Sequence, residues 1–303
     1  MADRKRSRGR GRRGGRSPAA ERGAARSRER RRESRSRDSG GGELRARILW
    51  AIPAAAFAIF IIAQGGLVFA LGISALGIVA LHELFTLTRG VRPVDIAGFI
   101  ALVGLVLAAL YGEPFHVLLA LVCAFPLTYA IAVARPWRER ISWAIAMTLF
   151  GVVWVGLPLA HAVFLREIDH GGALVANALI GTFIGDSVAL SAGKAWGRRK
   201  LAPRISPHKT WEGLIAGVIG GTLAFWGFEA AYQEFLTGGQ ALLIGFCVAL
   251  AAPVGDLFES LVKRDLDVKD TGGFFGPHGG VLDRLDAAFF SVPVAYYVTL
   301  AVT

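Results

Sequence analysis

The chain has 303 residues, 53% of them hydrophobic, and its mean hydropathy is +0.48. Such a high mean hydropathy excludes an ordinary soluble domain and points to long apolar segments. The formal net charge of +11 would suggest a nucleic-acid-binding protein, but residues 1–43 alone hold 16 Lys and Arg residues against 6 acids. The basicity therefore belongs to an N-terminal tail and not to the rest of the chain.

The tail, residues 1–43, has almost no large apolar side chain and no hydrophobic signal-peptide segment. Because such a segment cannot bury enough surface to fold alone, we expect it to be disordered. Its charge favours attraction to anionic lipid headgroups, and RNA binding is the alternative.

Nine apolar stretches of about 18 to 25 residues follow the tail, each long enough to cross a hydrocarbon layer of about 30 Å as a helix. They lie near residues 46–63, 65–85, 94–111, 115–134, 141–165, 172–192, 211–232, 240–262 and 281–302. We therefore predict an all-α polytopic membrane protein with about nine transmembrane helices. The short gap at Gln64 and Gly65 leaves eight or ten helices open.

The basic residues indicate which side of the membrane the tail occupies. With the tail inside and nine spans, the inside segments hold 33 of the 34 Lys and Arg residues, and only Arg166 lies outside. Those inside segments are residues 1–47, 86–93, 135–140, 193–210 and 263–284. By the positive-inside rule, this predicts a multi-pass protein of the plasma (inner) membrane with a cytoplasmic N-terminus.

Several ionisable residues of the predicted helices fall near one cytoplasmic level. They are His82, Glu83, Asp186, Asp256, Asp283 and Asp286. Charged groups below a membrane surface are costly and tend to face cavities or partners, so this pattern predicts a polar pocket open to the cytoplasm. A transporter would more often place its charges at the midplane.

The segment "KRDLDVKDTGGFFGPHGGVLDRLD", residues 263–286, is the most unusual part of the chain. Just before and within it, Asp256, Glu259 and Lys263 share one helix face, and Asp283 and Asp286 share a face of the next helix. Carboxylates suit magnesium, whereas basic side chains and glycine N–H groups suit phosphates. A solvated loop with paired charges is the alternative, but solubility does not require paired glycines or acids that continue into both apolar helices.

A second inside loop, "GKAWGRRKLAPRISPHKTWEGL" at residues 193–214, adds six basic residues, and Asp186 approaches it from the preceding helix. We predict a turn at residues 206–210 that leads into a helix with Glu212 as its first-turn acid.

Both loops resemble a known family. "SLVKRDLDVKDTGGFFGPHGGVLDRLD", from Ser260 to Asp286, resembles position for position the signature of the phosphatidate cytidylyltransferases, membrane enzymes that make CDP-diacylglycerol. "GDSVALSAGKAWGRRKLAPRISPHKTWEG" is similar to the family's second conserved stretch, so the resemblance covers residues 170–303 strongly and the earlier helices by hydropathy alone. Leu190 and His208 stand where the family commonly has Tyr and Lys, and the basic tail is outside the family pattern.

The resemblance implies a magnesium-dependent nucleotidyltransferase that joins CTP and phosphatidic acid into CDP-diacylglycerol and pyrophosphate. It gives Asp256 and Asp283 as first-choice metal ligands, with one metal ion or two left open. Alternative or supporting ligands are Asp186, Glu259, Asp270 and Asp286. The expected phosphate-binding groups are Lys209, Lys263, Arg264, Lys269 and Arg284, with Ser206 and Thr210 as hydrogen-bond donors, His278 near the reaction centre, and Gly279 and Gly280 in contact with substrate. No general base is required, because the attacking lipid phosphate is already an anion.

The remaining expectations concern organisation and alternatives. The predicted regions are the tail at 1–43, N-terminal transmembrane helices at 44–170 and a C-terminal catalytic region at 171–303. We expect His82 and Glu83 to form a structural pair between helices rather than a remote part of the site, and we assign no functional role to His116, His161 and His170. A homodimer in the lipid bilayer is expected. A CTP-dependent enzyme acting on another lipid phosphate and, less favoured, a transporter are the alternatives.

Overall fold

The computed structural model describes residues 52–136, 139–232, 235–268, 270–272 and 279–303, so the basic tail lies outside the described residues. Nine helices run through these ranges. They are α1 (Ile52–Gln64), α2 (Gly66–Leu87), α3 (Asp95–Tyr111), α4 (Pro114–Ala134), α5 (Ile141–Glu167), α6 (Gly171–Trp196), α7 (Trp211–Tyr232), α8 (Gly238–Asp265) and α9 (Leu282–Val302). The predicted all-α polytopic architecture is confirmed.

Helix length alone does not fix the number of membrane crossings. Seven of the described helices are long and apolar enough to span a bilayer, whereas α1 and α3 are shorter. At 1.5 Å per residue, the 17 residues of α3 cover about 26 Å, slightly less than a typical hydrocarbon layer. The predicted count of nine spans is therefore not confirmed, although each of the nine predicted stretches contains a helix.

Helices α6 and α7 pack backbone to backbone. A Cβ added to Gly217 would lie 2.9 Å from the carbonyl oxygen of Gly185, and one added to Gly221 would lie 2.7 Å from that of Gly181. Because only glycine allows this approach, the Gly-rich patch of α7 brings the helix that carries Asp186 close to the helix that follows the second inside loop.

A short antiparallel hairpin joins α6 to α7. Strand β1 (Lys200–Ala202) pairs with β2 (Ser206–Thr210), with Lys200 opposite Thr210. The prediction of a simple turn at residues 206–210 is therefore wrong, because backbone groups outside the apolar helices find ladder partners here. Glu212 closes the base of the hairpin, where its carboxylate accepts the N–H groups of Arg198 and Arg199 at 3.1–3.2 Å.

In the apolar core, aromatic side chains connect α5 with α8 and α9. Inside α5, a π-helical turn at Val152–Gly156 places the buried Trp154 against Phe258 of α8, with ring centroids 5.0 Å apart and the rings nearly perpendicular. Edge-to-face aromatic pairs of this kind are favourable. Phe258 also contacts Phe290 of α9 at 5.6 Å, so α5 fixes the two helices that carry most of the predicted acids.

The three histidines without a predicted function all make structural contacts. The ring of His116 accepts the N–H of Glu113 in the capping box of α4. His161 lies 2.9 Å from the hydroxyl of Tyr297, and His170 stacks on Phe235 at 4.3 Å.

Candidate active site

Three carboxylates from two helices meet at one point. The side chains of Asp256, Glu259 and Asp286 each offer an oxygen within 4.8 Å of the others. Asp256 and Glu259 lie one turn apart on α8, and Asp286 lies near the start of α9. A Cβ on Gly255 would overlap the backbone oxygen of Asp286, so this glycine permits the close approach of the two helices. We call these three residues the carboxylate cluster.

The carboxylate cluster has the composition of a site for a hard divalent cation. Glu259 is 1% exposed, and its Oε1 is buried without a hydrogen-bond partner among the described residues. A buried carboxylate oxygen without a partner is costly, and a cation would satisfy it. Magnesium commonly takes carboxylates together with phosphate oxygens and water, so these residues fit that ion.

Two lysines offset part of the negative charge of the cluster. Lys263 Nζ lies 2.5 Å from Glu259 and 3.2 Å from Asp283, and Lys209 Nζ lies 2.7 Å from Asp256. Lys263 comes from α8, whereas Lys209 comes from β2. The hairpin therefore places the ammonium group of Lys209 beside an acid of α8. Both ammonium groups are therefore held in place before any substrate arrives.

Asp283 has a different environment from the cluster. Its carboxylate accepts the N–H of Thr271 at 3.1 Å and that of Gly280 at 2.8 Å, in addition to its ion pair with Lys263. The structure thus brings Asp256 together with Glu259 and Asp286, while Asp283 holds the ends of the loop between α8 and α9. The assignment of Asp256 and Asp283 as the two ligands stays a prediction.

A cavity of about 550 Å³ opens beside the cluster, between α6, the hairpin, α7 and α8. It contains the predicted residues Asp186, Ser206, Lys209, Thr210 and Asp256, and also both positions that depart from the family pattern, Leu190 and His208. The other lining residues are Ala189, Gly193, Lys194, Lys200, Leu201, Gly213, Leu214 and Pro253. Charged and apolar side chains therefore both line the cavity.

Sequence reasoning missed Lys194 and Lys200 as lining residues of this cavity. Lys194 lies eight residues after Asp186 on α6 and shares its helix face, so helical spacing could have predicted that both line one cavity. Lys200 reaches the cavity through the pairing of β1 with β2, which was not predicted. Thr210 also has a structural role, since its hydroxyl accepts the N–H of Gly213 at the start of α7.

The remaining predicted residues are more scattered. Arg264 donates from Nε to the backbone oxygen of Ile205 and so ties α8 to the hairpin. Arg284 and Asp270 are exposed, and Gly279 borders the loop with φ +81°. Lys269 and His278 lie outside the described residues.

His82 and Glu83 do not form the predicted structural pair between helices. His82 is exposed, whereas Glu83 is 7% exposed and accepts the N–H of Leu282 at 3.0 Å. The alternative that sequence analysis weighed, a remote part of the site, stays a prediction.

Known proteins are similar to this chain over most of its length. A model described as the Cytidylyltransferase family matches residues 45–302. The chain belongs to the cytidylyltransferase family. The match includes the N-terminal helices, which the sequence analysis related to that family by hydropathy alone.

Individual members of the family are also similar to this chain. A phosphatidate cytidylyltransferase of Bacillus subtilis is 30% identical over 275 residues, which cover 84% of this chain and 97% of the relative. A phosphatidate cytidylyltransferase of Rickettsia bellii is 30% identical over 210 residues, or 67% and 88% of the two chains. One of Mycobacterium leprae is 36% identical over 149 residues, or 49% and 47%.

Proposed function

We propose that this cytidylyltransferase joins CTP to phosphatidic acid and releases CDP-diacylglycerol and pyrophosphate. The observation that carries the proposal is the carboxylate cluster, which lies beside a cavity lined by both charged and apolar side chains at the ends of membrane helices. One substrate is a soluble polyanion and the other is a lipid, so a site of this composition suits both. The names of the similar bacterial proteins support the same reaction.

In the proposed reaction, a phosphate oxygen of phosphatidic acid attacks the α-phosphorus of CTP. A new P–O bond forms, and the bond from the α-phosphorus to the oxygen that bridges to the β-phosphorus breaks. No proton has to be removed from the nucleophile, which is already an anion. The enzyme's task is therefore to bring two anions together and to stabilise the charge that builds on pyrophosphate.

Lys209 and Lys263 are suited to that task because their ammonium groups are already fixed by carboxylates. A fixed cation needs no reorganisation as charge develops, which is the basis of electrostatic preorganisation. We assign the two lysines to substrate phosphates. Lys194 and Lys200, which also line the cavity, add further positive charge to it.

We further propose magnesium as the cofactor, held by Asp256, Glu259 and Asp286. When bound, the ion would neutralise phosphate charge and stabilise the leaving pyrophosphate. In this proposal, Asp283 orders the loop and Lys263, whereas sequence analysis gave it as a ligand. A second metal ion stays a prediction.

We place the site and the N-terminus on the cytoplasmic side of the plasma membrane. The distribution of 33 of 34 basic residues supports this orientation, and CTP is a cytoplasmic metabolite in this scheme. The binding of the tail to anionic headgroups, the homodimer and the regions 1–43, 44–170 and 171–303 stay predictions.

The direct test is an assay of the purified full-length protein in detergent with labelled CTP, magnesium and phosphatidic acid. We expect labelled CDP-diacylglycerol and an equal amount of pyrophosphate. A polyprenol phosphate and an ether-lipid phosphate serve as competing acceptors. Faster transfer to one of them would favour the alternative lipid substrate, and the absence of transfer to any lipid phosphate would refute the proposal.

A further inference from the structure

A buried acid of α2 lies against the loop that joins α8 to α9. Glu83 accepts the N–H of Leu282, although the two residues are 199 positions apart in the sequence. Glu83 is buried, with 7% of its surface exposed. The loop between α8 and α9 is therefore held partly by a residue far outside the segments that resemble the family signature.

Both ends of this loop converge on the same carboxylate. A Cβ added to Gly272, near the end that leaves α8, would overlap Glu83 Oε1. One added to Gly280, near the end that enters α9, would overlap Glu83 Oε2. Neither glycine has a positive φ, so at these positions the carboxylate, and not backbone strain, excludes a larger residue.

The opposite side of the loop is held by Asp283. Its carboxylate accepts the N–H groups of Thr271 and Gly280, and it pairs with Lys263, which in turn pairs with Glu259. A continuous series of contacts therefore runs from α2 through the loop to the carboxylate cluster. A shift of the loop ends would move Asp283 and Lys263 together.

We propose that Glu83 is a positioning residue that clamps both ends of the loop between α8 and α9 and so fixes Asp283 and Lys263 for the reaction. It acts as a hydrogen-bond acceptor and by its shape, and it does not itself touch substrate. The proposal rests on the cytidylyltransferase activity but not on which acids bind metal.

The test compares purified variants for turnover, thermal stability and amide hydrogen exchange. Because small misplacements of reacting groups are costly, Glu83→Ala should lower kcat by about tenfold or more. It should also increase amide exchange at residues 270–272 and 279–282. Glu83→Gln keeps the shape and an acceptor oxygen, so we expect it to restore kcat to within about threefold of the wild type.

Glu229 provides a matched control. It is also a buried carboxylate, at 2% exposure, and it accepts the N–H groups of Phe235 and Leu236 in the loop between α7 and α8. Glu229→Ala should therefore lower thermal stability and loosen its own loop, while kcat of the folded enzyme stays near the wild-type value. A general effect of losing a buried acid would instead lower kcat equally in both variants and overturn the proposal.

The glycines allow a second test that does not require Glu83→Ala to fold. Gly280→Ala should lower kcat because its methyl group meets the Glu83 carboxylate, whereas Gly90→Ala should be silent because nothing lies within 4 Å of its added Cβ. Where the double variant folds, Gly280→Ala should cost much less in the Glu83→Ala background, because the obstacle is gone.

Three further results would also overturn the inference: wild-type kcat in Glu83→Ala or in Gly280→Ala, independent effects of the two changes, or Glu83→Gln as impaired as Glu83→Ala. The last result would mean that the negative charge of Glu83, and not its positioning of the loop, matters. If the wild-type enzyme makes no CDP-diacylglycerol, the proposed function fails. Amide hydrogen exchange at residues 270–272 and 279–282, compared between the wild type and Glu83→Ala, still decides whether Glu83 holds the loop.

Discussion

Each acid near the cluster has a separate role that its contacts define. Asp256 pairs with the hairpin through Lys209, Glu259 is enclosed and pairs with Lys263, and Asp283 receives two backbone N–H groups. A carboxylate that already accepts several hydrogen bonds has fewer lone pairs left for a metal ion. This is why we propose the three acids of the carboxylate cluster as the ligands and Asp283 as the scaffold.

Substitution of these acids separates the two roles. Asp256→Asn keeps the side-chain size but removes the charge that a hard cation prefers, so we expect about 3 kcal/mol less transition-state stabilisation, or roughly a hundredfold loss of kcat/KM. Asp286→Asn should likewise raise the magnesium concentration needed for half-maximal rate. Asp283→Asn should lower kcat with little change in that concentration. Steady-state kinetics over a magnesium titration measures all three.

Asp265→Asn is the control for this series, because Asp265 is an exposed acid at the end of the same helix, α8. It should leave both kcat/KM and the magnesium dependence near the wild-type values. If well-inserted Asp256→Asn enzyme behaved like the control, the metal would bind elsewhere, and Asp186 with Asp270 would be the next pair to examine.

At the scale of elements, the site depends on two close helix contacts made by glycine. Gly255 lets α8 approach α9, and the glycines of α6 and α7 let those helices touch along their backbones. Without a strong hydrophobic driving force between helices in lipid, such packing supplies much of the association energy. The lining of the cavity by α6, α7 and α8 therefore depends on small residues that take no part in chemistry.

Gly221→Ala tests this dependence. The added methyl group would lie 2.7 Å from the backbone oxygen of Gly181 and 2.9 Å from the Cβ of Ala249, so α6, α7 and α8 would have to separate. Overpacking of this kind costs about 1–3 kcal/mol. Thermal unfolding in detergent should show a lower midpoint than for Gly227→Ala on the same helix, whose added Cβ meets nothing within 4 Å. Equal midpoints for the two variants would contradict the packing argument.

The elements also show what the sequence could and could not predict. Local patterns sufficed for the nine helices and for the common level of Asp186 and Asp256, because each signal lies within one helix, whereas Lys209 was expected at the site only from the family resemblance. The hairpin was missed because Ser206 to Thr210 has turn-like composition and forms a strand only through its pairing with β1. The role of Glu83 depends on a contact 199 residues away, which no local periodicity contains.

For the whole molecule, contacts between helix ends show which ends lie together. Arg166, at the end of α5, donates to the backbone oxygens of Ile62 and Ala63 at the end of α1. At the other level, Arg135 after α4 donates to the backbone oxygens of Arg92 and Pro93 before α3. If α1 to α5 cross the membrane in alternate directions, the ends of α1 and α5 lie on one side, and the end of α4 and the start of α3 lie on the other. Both pairs of contacts agree with this arrangement. The only basic residue predicted outside thus caps the carbonyl end of α1.

The orientation is tested by single cysteines in a background that lacks Cys123 and Cys247, both of which are free thiols. Gly90, between α2 and α3, and Gly239, at the start of α8, form a matched pair, since both are exposed and an added Cβ meets nothing within 4 Å at either. A membrane-impermeant maleimide applied to intact cells should label Gly239→Cys directly. It should label Gly90→Cys only after permeabilisation, because the positive-inside rule places residues 86–93 in the cytoplasm. The reverse pattern would put the carboxylate cluster on the outer face, away from CTP, and the proposed reaction would lose its nucleotide supply.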